Sequence, residues 1–374
     1  MDLRLEPELL QIAAGARRLA EKRLAPRARR ADEEGVFDRD LVPQLGAAGL
    51  LDDRLSAQAT ALVAEELGRV DSSVRGFVTV QAGLVGHCLA DWGTKAQKEA
   101  WLPRLRAGEA IGCYALTEPE AGTDARSMTT QATRTDGGWR LQGEKHWITN
   151  GGVADVALVF ARADEGLSAF VVPTTTPGFE RTPMAGRELG HRGSNHAFLR
   201  LQMVVPRDAL LGEPGQGFKV AMSALAHGRL GVAAGAVGVL HACLEATVDF
   251  ARRRRQFGQR IGDFGMIQGA LADMATELAA GRLLVRQAAW LRDAGEDNAQ
   301  AVAMAKLFCT EAALRGADQA ILIHGARGYS NEYPVERYWR DAKGMQIYEG
   351  TAHVQRVILA RQLLGRDEGS ASGG

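Results

Sequence analysis

Between residues 3 and 111 the apolar positions recur at helical spacing, as in Leu9, Ile12, Ala13, Ala16 and Leu19 and again in Leu62, Val63 and Leu67. That period predicts a helical N-terminal domain over 1–111. Near residue 112 the pattern changes to short alternating or β-branched runs, "IGCYALTE", "WRLQGEKHWIT", "DVALVFAR", "SAFVVPTTTPGF" and "HAFLRLQMVV", separated by turn signals such as "TDGG", "TNGG" and "TPG". Runs of this kind predict a middle antiparallel β-domain over 112–212. From "GEPGQGFKVAM" onward the 3.6-residue period returns and predicts a helical bundle over 213–366, followed by a polar tail at 367–374, "DEGSASGG", expected to be disordered. The fold class is therefore α+β, mainly α. The order of helices, β-unit and helices argues against an alternating doubly wound sheet. In the helix beginning near Leu230, Gly231, Gly235 and Gly238 lower helical propensity, so each is expected to admit close approach of another backbone in a packed bundle.

Composition narrows the function classes. The chain has 374 residues, 46% of them hydrophobic, enough for a large core in two or three units. Lys plus Arg and Asp plus Glu are both 45, so no net basic field is available to hold nucleic acid or an acidic membrane surface. Cys88, Cys113, Cys243 and Cys309 form no CxxC pair and read as buried thiols of a reducing compartment, neither a disulfide framework nor a metal site. The first thirty residues alternate charges without an apolar h-region, no apolar run approaches the length of a membrane span, and a cytoplasmic location is expected.

Five segments carry more than packing requires. In "YALTEPEAGTDARSM", residues 114–128, a Gly-containing turn with the hydroxyls of Thr117 and Thr123 can bond a polar planar ligand, and local chemistry also allows a plain polar loop. In "GEKHWITNGG", Trp147 and Thr149 lie two apart and would share one face of a strand, an aromatic face beside a hydroxyl; a core Trp is the blander alternative. "ARRRRQFGQRIG" closes the long helix with arginines that suit its dipole, and also suit a diphosphate with an aromatic ring, Phe257, beside it. In "ILIHGARGYSNEYPVERYWRDAK", Gly325 and Gly328 either bring amides near an anion or cap a helix. In "DAKGMQIYEGTAHVQR", Glu349 stands between two helix patterns, next to Gly350. A carboxylate there can approach a flat substrate closely, and an apolar site would raise its pKa toward that of a general base. An exposed helix-end Glu is the simpler reading of that segment alone.

Together, "LTEPEAGTD", "GEKHWITNGG", "RRQFG", "NEYPVERYWRDAK" and "QIYEGT" resemble the acyl-CoA dehydrogenase family of flavoproteins, and the resemblance runs from about residue 5 to 366. It implies an acyl-CoA dehydrogenase-like fold with a C-terminal four-helix bundle, FAD as cofactor, and a homotetramer or homodimer. Tyr114, Leu116, Thr117 and Thr123 match the loop along the flavin, and Trp147, Ile148 and Thr149 the strand against its ring. Arg254, Gln256 and Phe257 match positions toward the FAD of a neighbouring subunit, Thr351 matches a flavin-side contact, and Gly325 and His353 are further cofactor-binding positions. Glu349 matches the base that takes the α-proton of an acyl thioester while the β-hydrogen leaves as hydride to the flavin. Arg75, Thr123, Arg229, Tyr348 and Gly350 match substrate-side positions. Some relatives carry the base just before the Arg of "LAHGRLG", which here is Gly228 and cannot serve.

The chain departs from the family pattern at Gly265, Leu322 and Ala326, all toward the adenosine end of FAD, at Ala226 beside the expected CoA contacts, and in the short joint "GAAGLLDDRLSAQ". "VDSSVRGFVTVQ" resembles glutaryl-CoA dehydrogenases, where the Arg matched by Arg75 pairs with the far carboxylate of the substrate. A helix-capping Arg, or one paired with Asp71, is the alternative. A similar run resembles dehydrogenases of carrier-protein-bound acyl groups in polyketide extender-unit pathways. The implied partners are an acyl-CoA or acyl-carrier-protein thioester and an electron-transfer flavoprotein as acceptor. An oxygen-using acyl-CoA oxidase-like relative and a flavin-free binding protein on the same scaffold are the competing classes.

Overall fold

A computed structural model describes residues 4–184 and 186–365; the tail at 367–374 lies outside the described residues. The N-terminal part holds α1 (Pro7–Leu19), which runs through a π-helical turn into α2 (Ala25–Glu34), then α3 (Leu41–Ala47), α4 (Ala57–Val70) and α5 (Ser72–Val78). A π-helical stretch, Thr79–Gly86, leads to α6 (His87–Trp92) and α7 (Lys95–Ala107). Side chains fix the starts of these helices. Ser56 Oγ accepts from Ala59 N ahead of α4, the Asp71 carboxylate accepts from Ser73 N and Val74 N ahead of α5, and Thr94 with Gln97 forms a capping box on α7.

The middle part holds β1 (Gly112–Ala115), β2 (Gln131–Thr135), β3 (Gly138–Ile148), β4 (Val156–Ala163), β5 (Gly166–Pro173), β6 (Phe179–Pro183), β7 (Ala197–Pro206) and β8 (Leu210–Leu211). The sheet order is β6-β7-β3-β2-β4-β5-β8, with β1 added on β4. The purely antiparallel sheet expected from the alternation is corrected here: β1 pairs parallel to β4, Tyr114 opposite Leu158, and β2 meets β4 parallel at Gln131 and Arg162. Alternation has the same period in either direction, so it carries no information on this point.

The C-terminal part begins with α8 (Gly217–Arg253), passes a small hairpin, β9 (Arg255–Gln256) and β10 (Gln259–Arg260), and continues through α9 (Gly265–Asp293), α10 (Ala299–His324), α11 (Val335–Met345) and α12 (Ala352–Leu363). By length and composition α8 could cross a membrane, contrary to the sequence reading, but most of its apolar stretch is buried as a core helix of this fold. Its glycines serve close packing. A Cβ on Gly238 would fall 2.1 Å from Glu65 O of α4, and one on Gly68 would fall 2.6 Å from Gly235 O. One core joins α1–α5 to a face of the sheet, through Phe77, Leu141 and Val159; a second fills the space between α4, α8, α9 and α10; a third packs α6, α7 and the start of α8 on β1 and β4. All four cysteines are buried free thiols. This packing seats the α11–α12 junction against α8 and α10, with Arg75 of α5 reaching Tyr348 within it.

Candidate active site

Helix α11 ends at Met345 and α12 starts at Ala352, where Thr351 Oγ1 accepts from Val354 N. The six residues between them carry the site. Glu349 sits at φ +55 and Gly350 at φ +91, so the backbone turns twice through the left-handed region. For a Glu that conformation costs about 1–2 kcal/mol and has to be held by its surroundings. The turn is tied down by bonds from Ile347 N to Gly344 O (2.8 Å) and from Ala352 N to Gln346 O (3.0 Å). Gln355 Nε2 adds a bond to Gly350 O at 3.0 Å.

The strained turn aims the Glu349 carboxylate inward, where Oε2 is buried without a hydrogen-bond partner. It abuts α8 at Gly228, the one residue type that leaves it room: a Cβ there would lie 2.2 Å from Oε2. The alternative of an exposed helix-end Glu is thereby ruled out. Burial pushes the Glu349 pKa up to about 7, against the attraction of Lys306, Arg75 and Arg229. Arg229 Nε donates to the backbone oxygen of Glu349 itself at 3.1 Å. Tyr114 of β1 is buried, donates its hydroxyl to Ala221 O of α8 at 3.2 Å, and is close enough for the charge of Glu349 to add to the burial that raises its pKa.

Arg75 is 1% exposed and makes neither of the contacts that the simpler reading offered. Asp71 spends its carboxylate on the N-terminus of α5, while Arg75 reaches across to Tyr348 OH at 2.5 Å. Its Nε is buried with no partner. Gly235 gives the side chain its space, since a Cβ there would lie 2.7 Å from Arg75 Cδ and Nε. Tyr348 OH also lies 3.3 Å from His191 Nε2, whose ring burial holds neutral with a pKa near 3. Arg75 opens onto a cavity of about 210 Å³ whose wall includes Thr79, Ala82 and Gly83 of the π-helical stretch, together with His227 and Gly231 of α8. π-Helical turns are rare and recur at functional sites.

The two flavin-side segments meet at the edge of the sheet. His146 N donates to Thr117 O at 2.9 Å, laying "YALTE" along "KHWIT". Beneath them lies an ion pair that the sequence reading missed. Lys145 Nζ donates to Glu118 Oε1 (2.7 Å) and Leu116 O (3.1 Å), while Glu118 also accepts from Thr129 N and Thr130 N. Burial raises the Glu118 pKa, but Lys145 and these hydrogen bonds outweigh it and hold the carboxyl at about 2; burial lowers Lys145 to about 8.

Contrary to what their spacing predicts, Trp147 and Thr149 do not share one face of a strand. β3 ends at Ile148 and its register against β7 shifts between Lys145 and Ile148, with Trp147 at φ +59. The Trp is therefore displayed by a bulge and not by strand alternation, and the residue is 56% exposed where a core Trp would be hidden. Thr149 is half-buried beyond the strand end, and Ile148 beneath is buried. An open aromatic face, two hydroxyls and a strained backbone at one edge fit a planar ring system with polar margins. Among these residues Thr117, Trp147, Thr149 and Thr351 are the ones available to hold FAD.

The remaining candidates are exposed or stand at the ends of elements. Thr123 and His353 are exposed. Arg254 ends α8, Gln256 belongs to β9, and Phe257 at the hairpin tip is 95% exposed. Gly325, at φ +63, caps α10, as the simpler reading had it. Lys306 went unnoticed in the sequence although it interrupts an apolar stripe: Val302, Ala303, Cys309 and Thr310, one turn away on either side, are all buried.

The chain is similar to known proteins along nearly its whole length. Three family models match, described as the acyl-CoA dehydrogenase N-terminal domain (residues 6–109), middle domain (113–204) and C-terminal domain (215–364). The mitochondrial short-chain specific acyl-CoA dehydrogenase of Homo sapiens is 40% identical over 363 residues, 93% of this chain and 88% of that protein. A chain solved in work on the electron transferring flavoprotein of Acidaminococcus fermentans and flavin-based electron bifurcation superposes with a TM-score of 0.95 at 38% identity, covering 98% of this chain and all of that one. A glutaryl-CoA dehydrogenase from Mycobacterium smegmatis in complex with FADH2 gives 0.94 at 33% identity, covering 96% and 95%.

Proposed function

The chain belongs to the acyl-CoA dehydrogenase family, FAD-binding oxidoreductases that act on CH–CH groups, and from that premise we propose that it desaturates a short acyl thioester with Glu349 as the α-proton base. The observation that carries this reading is the inward Glu349 carboxylate with its unpartnered Oε2 and a pKa near 7. A thioester α-proton is weakly acidic, so its base has to be at contact distance, free of competing donors and able to take a proton near neutral pH. Burial supplies the basicity, and the surrounding cations keep the carboxylate ionised for part of the time at neutral pH. Bound FAD supplies the acceptor for the departing β-hydride.

The acyl group we assign is short and ends in a carboxylate. Arg75 supports this. It is a buried guanidinium facing a small cavity, with an unused N–H and no carboxylate of its own among the described residues, and an acyl chain with a terminal carboxylate would complete it. The thioester is carried by CoA or by an acyl carrier protein, with an electron-transfer flavoprotein as acceptor. The apolar surface at Phe257, Met266 and Tyr329, exposed in the single chain, supports assembly as a homotetramer that covers it.

The test is anaerobic bleaching of the purified flavoprotein by a panel of mono- and dicarboxylyl thioesters of CoA and of carrier protein, followed by admission of air. Wild type is expected to bleach with dicarboxylyl thioesters and to recover slowly. Glu349→Gln is expected to keep its yellow colour and lose the response; a variant that still bleached would show the base to be elsewhere. Rapid recovery in air would identify an oxidase.

A further inference from the structure

We propose that Lys306 is a positioning residue for Glu349, its ammonium gathering the carbonyls of the α11–α12 turn around the base. The inference rests on the reading of Glu349 as the base. Lys306 rises from the middle of α10, is 1% exposed, and makes no ion pair among the described residues. Its Nζ donates to Gly350 O (2.5 Å) and Tyr348 O (2.9 Å), with a longer contact to Met345 O (3.5 Å). An ammonium has three donors, and here two are spent on the six residues that carry Glu349 and the third on Met345, the last residue of α11. Tyr348 O lies in the peptide unit that leads into Glu349 and Gly350 O in the unit that follows Gly350, so the two shorter bonds bracket the residue at φ +55.

Chain ends between helices are commonly closed by a glycine motif and water, without any buried charge. A lysine on an apolar stripe is a costly way to do the same work unless its charge is used. The carbonyls it gathers would otherwise direct their negative ends toward the space shared with the carboxylate. Lys306 turns them onto itself and places a positive charge beside Glu349. The two groups feel each other: the charge of Lys306 opposes the rise in the Glu349 pKa, and Glu349 opposes the fall that burial imposes on Lys306. Arg229 holds the third carbonyl of the group, that of Glu349 itself, at 3.1 Å. Lys306 thus sets both where the base sits and the pH at which it is free to act, without touching the substrate.

Lys306→Gln keeps a donor and removes the charge, whereas Lys306→Met removes both. Each is purified with FAD, and its flavin content, thermal midpoint and anaerobic bleaching rate from pH 5.5 to 9 are compared with wild type. With Lys306→Gln the acid limb of the bleaching profile is expected to move up by about one pH unit or more, with flavin content retained. With Lys306→Met the same displacement is expected together with a loss of roughly 100-fold at every pH, as the carboxylate drifts from its place. The shifted limb is the readout that a merely structural lysine would not give. If Lys306→Gln binds FAD and its limb coincides with wild type, the inference is wrong. Glu349→Gln run in parallel separates the two readings: if it is silent while the Lys306 profiles stay unmoved, only the positioning role fails, and if it still bleaches, both fail.

Discussion

Gly228 and Glu349 share one space: a Cβ at position 228 would stand 2.2 Å from Oε2 and 2.7 Å from Cδ of the Glu349 carboxylate. The missing side chain on α8 is thus part of the base's seat. Gly228→Ala is expected to improve the helical propensity of α8 slightly while pushing the carboxylate out of place. Flavin content should be unchanged and the bleaching rate should fall by roughly 100-fold, the usual scale for an ångström of misplacement. Stopped-flow absorbance of the anaerobic enzyme measures it, and an unimpaired Gly228→Ala would mean that the carboxylate works from a different position.

Arg75 offers a sharper test of substrate class. Its guanidinium is held on one side by Tyr348 OH and has a buried, unpartnered Nε on the other. A charge-assisted hydrogen bond contributes about 1.5–3 kcal/mol, so Arg75→Ala should cost roughly 10- to 100-fold in kcat/KM on a dicarboxylyl thioester beyond its effect on a monocarboxylyl one. Equal losses on the two substrates would make Arg75 a packing element and remove the case for a terminal carboxylate.

The fold class was legible because periodicity changes twice along the chain, from 3.6 residues to 2 near Gly112 and back near Gly217, and nothing in packing overrode those changes. Glu349 was legible only through the resemblance carried by all five segments, since its own segment reads more simply as an exposed helix end. What stayed hidden depends on groups brought together from afar. The i, i+2 pattern at Trp147 and Thr149 reads as a strand face, whereas the bulge beside Ile148 is set by the register with β7, which local sequence does not encode. The free Nε of Arg75 depends on Asp71 turning away to cap α5, and two acceptable partners four residues apart give no sign of that choice. Lys306 could have been noticed, as a lone cation on an apolar stripe, but its target carbonyls lie some forty positions further on.

The Lys145 and Glu118 pair underlies the edge where the ring-binding segments meet, and its two halves come from those two segments. Lys145→Met would leave Glu118 charged and buried, a loss of about 3–5 kcal/mol in stability. The double variant Lys145→Met/Glu118→Gln should recover part of that loss, because no unpaired charge remains. Denaturant unfolding monitored together with flavin release measures both. Flavin is expected to leave the single variant at lower denaturant than the double variant, and indistinguishable curves would show that the pair does not brace this edge.

Stability should carry the mark of Glu349 as well. Its pKa is raised by burial from the ordinary carboxylate value to about 7, so the folded state binds this proton more tightly than the unfolded chain does. Between about pH 4.5 and 7 the unfolded chain holds fewer protons here, and stability falls as pH rises; above 7 the whole penalty is in force, and below 4.5 none of it. Glu349→Gln removes the titration. Asp341, which burial also raises to about 7, is common to both proteins and cancels in the comparison. The variant is therefore expected to melt with wild type near pH 4 and a few degrees above it at pH 8, while having lost its reaction, a trade of activity against stability typical of a strained, desolvated base. Calorimetry across that range measures it. A difference in midpoint that is independent of pH, or that reverses sign, would mean that the carboxylate at 349 is solvated in the folded protein.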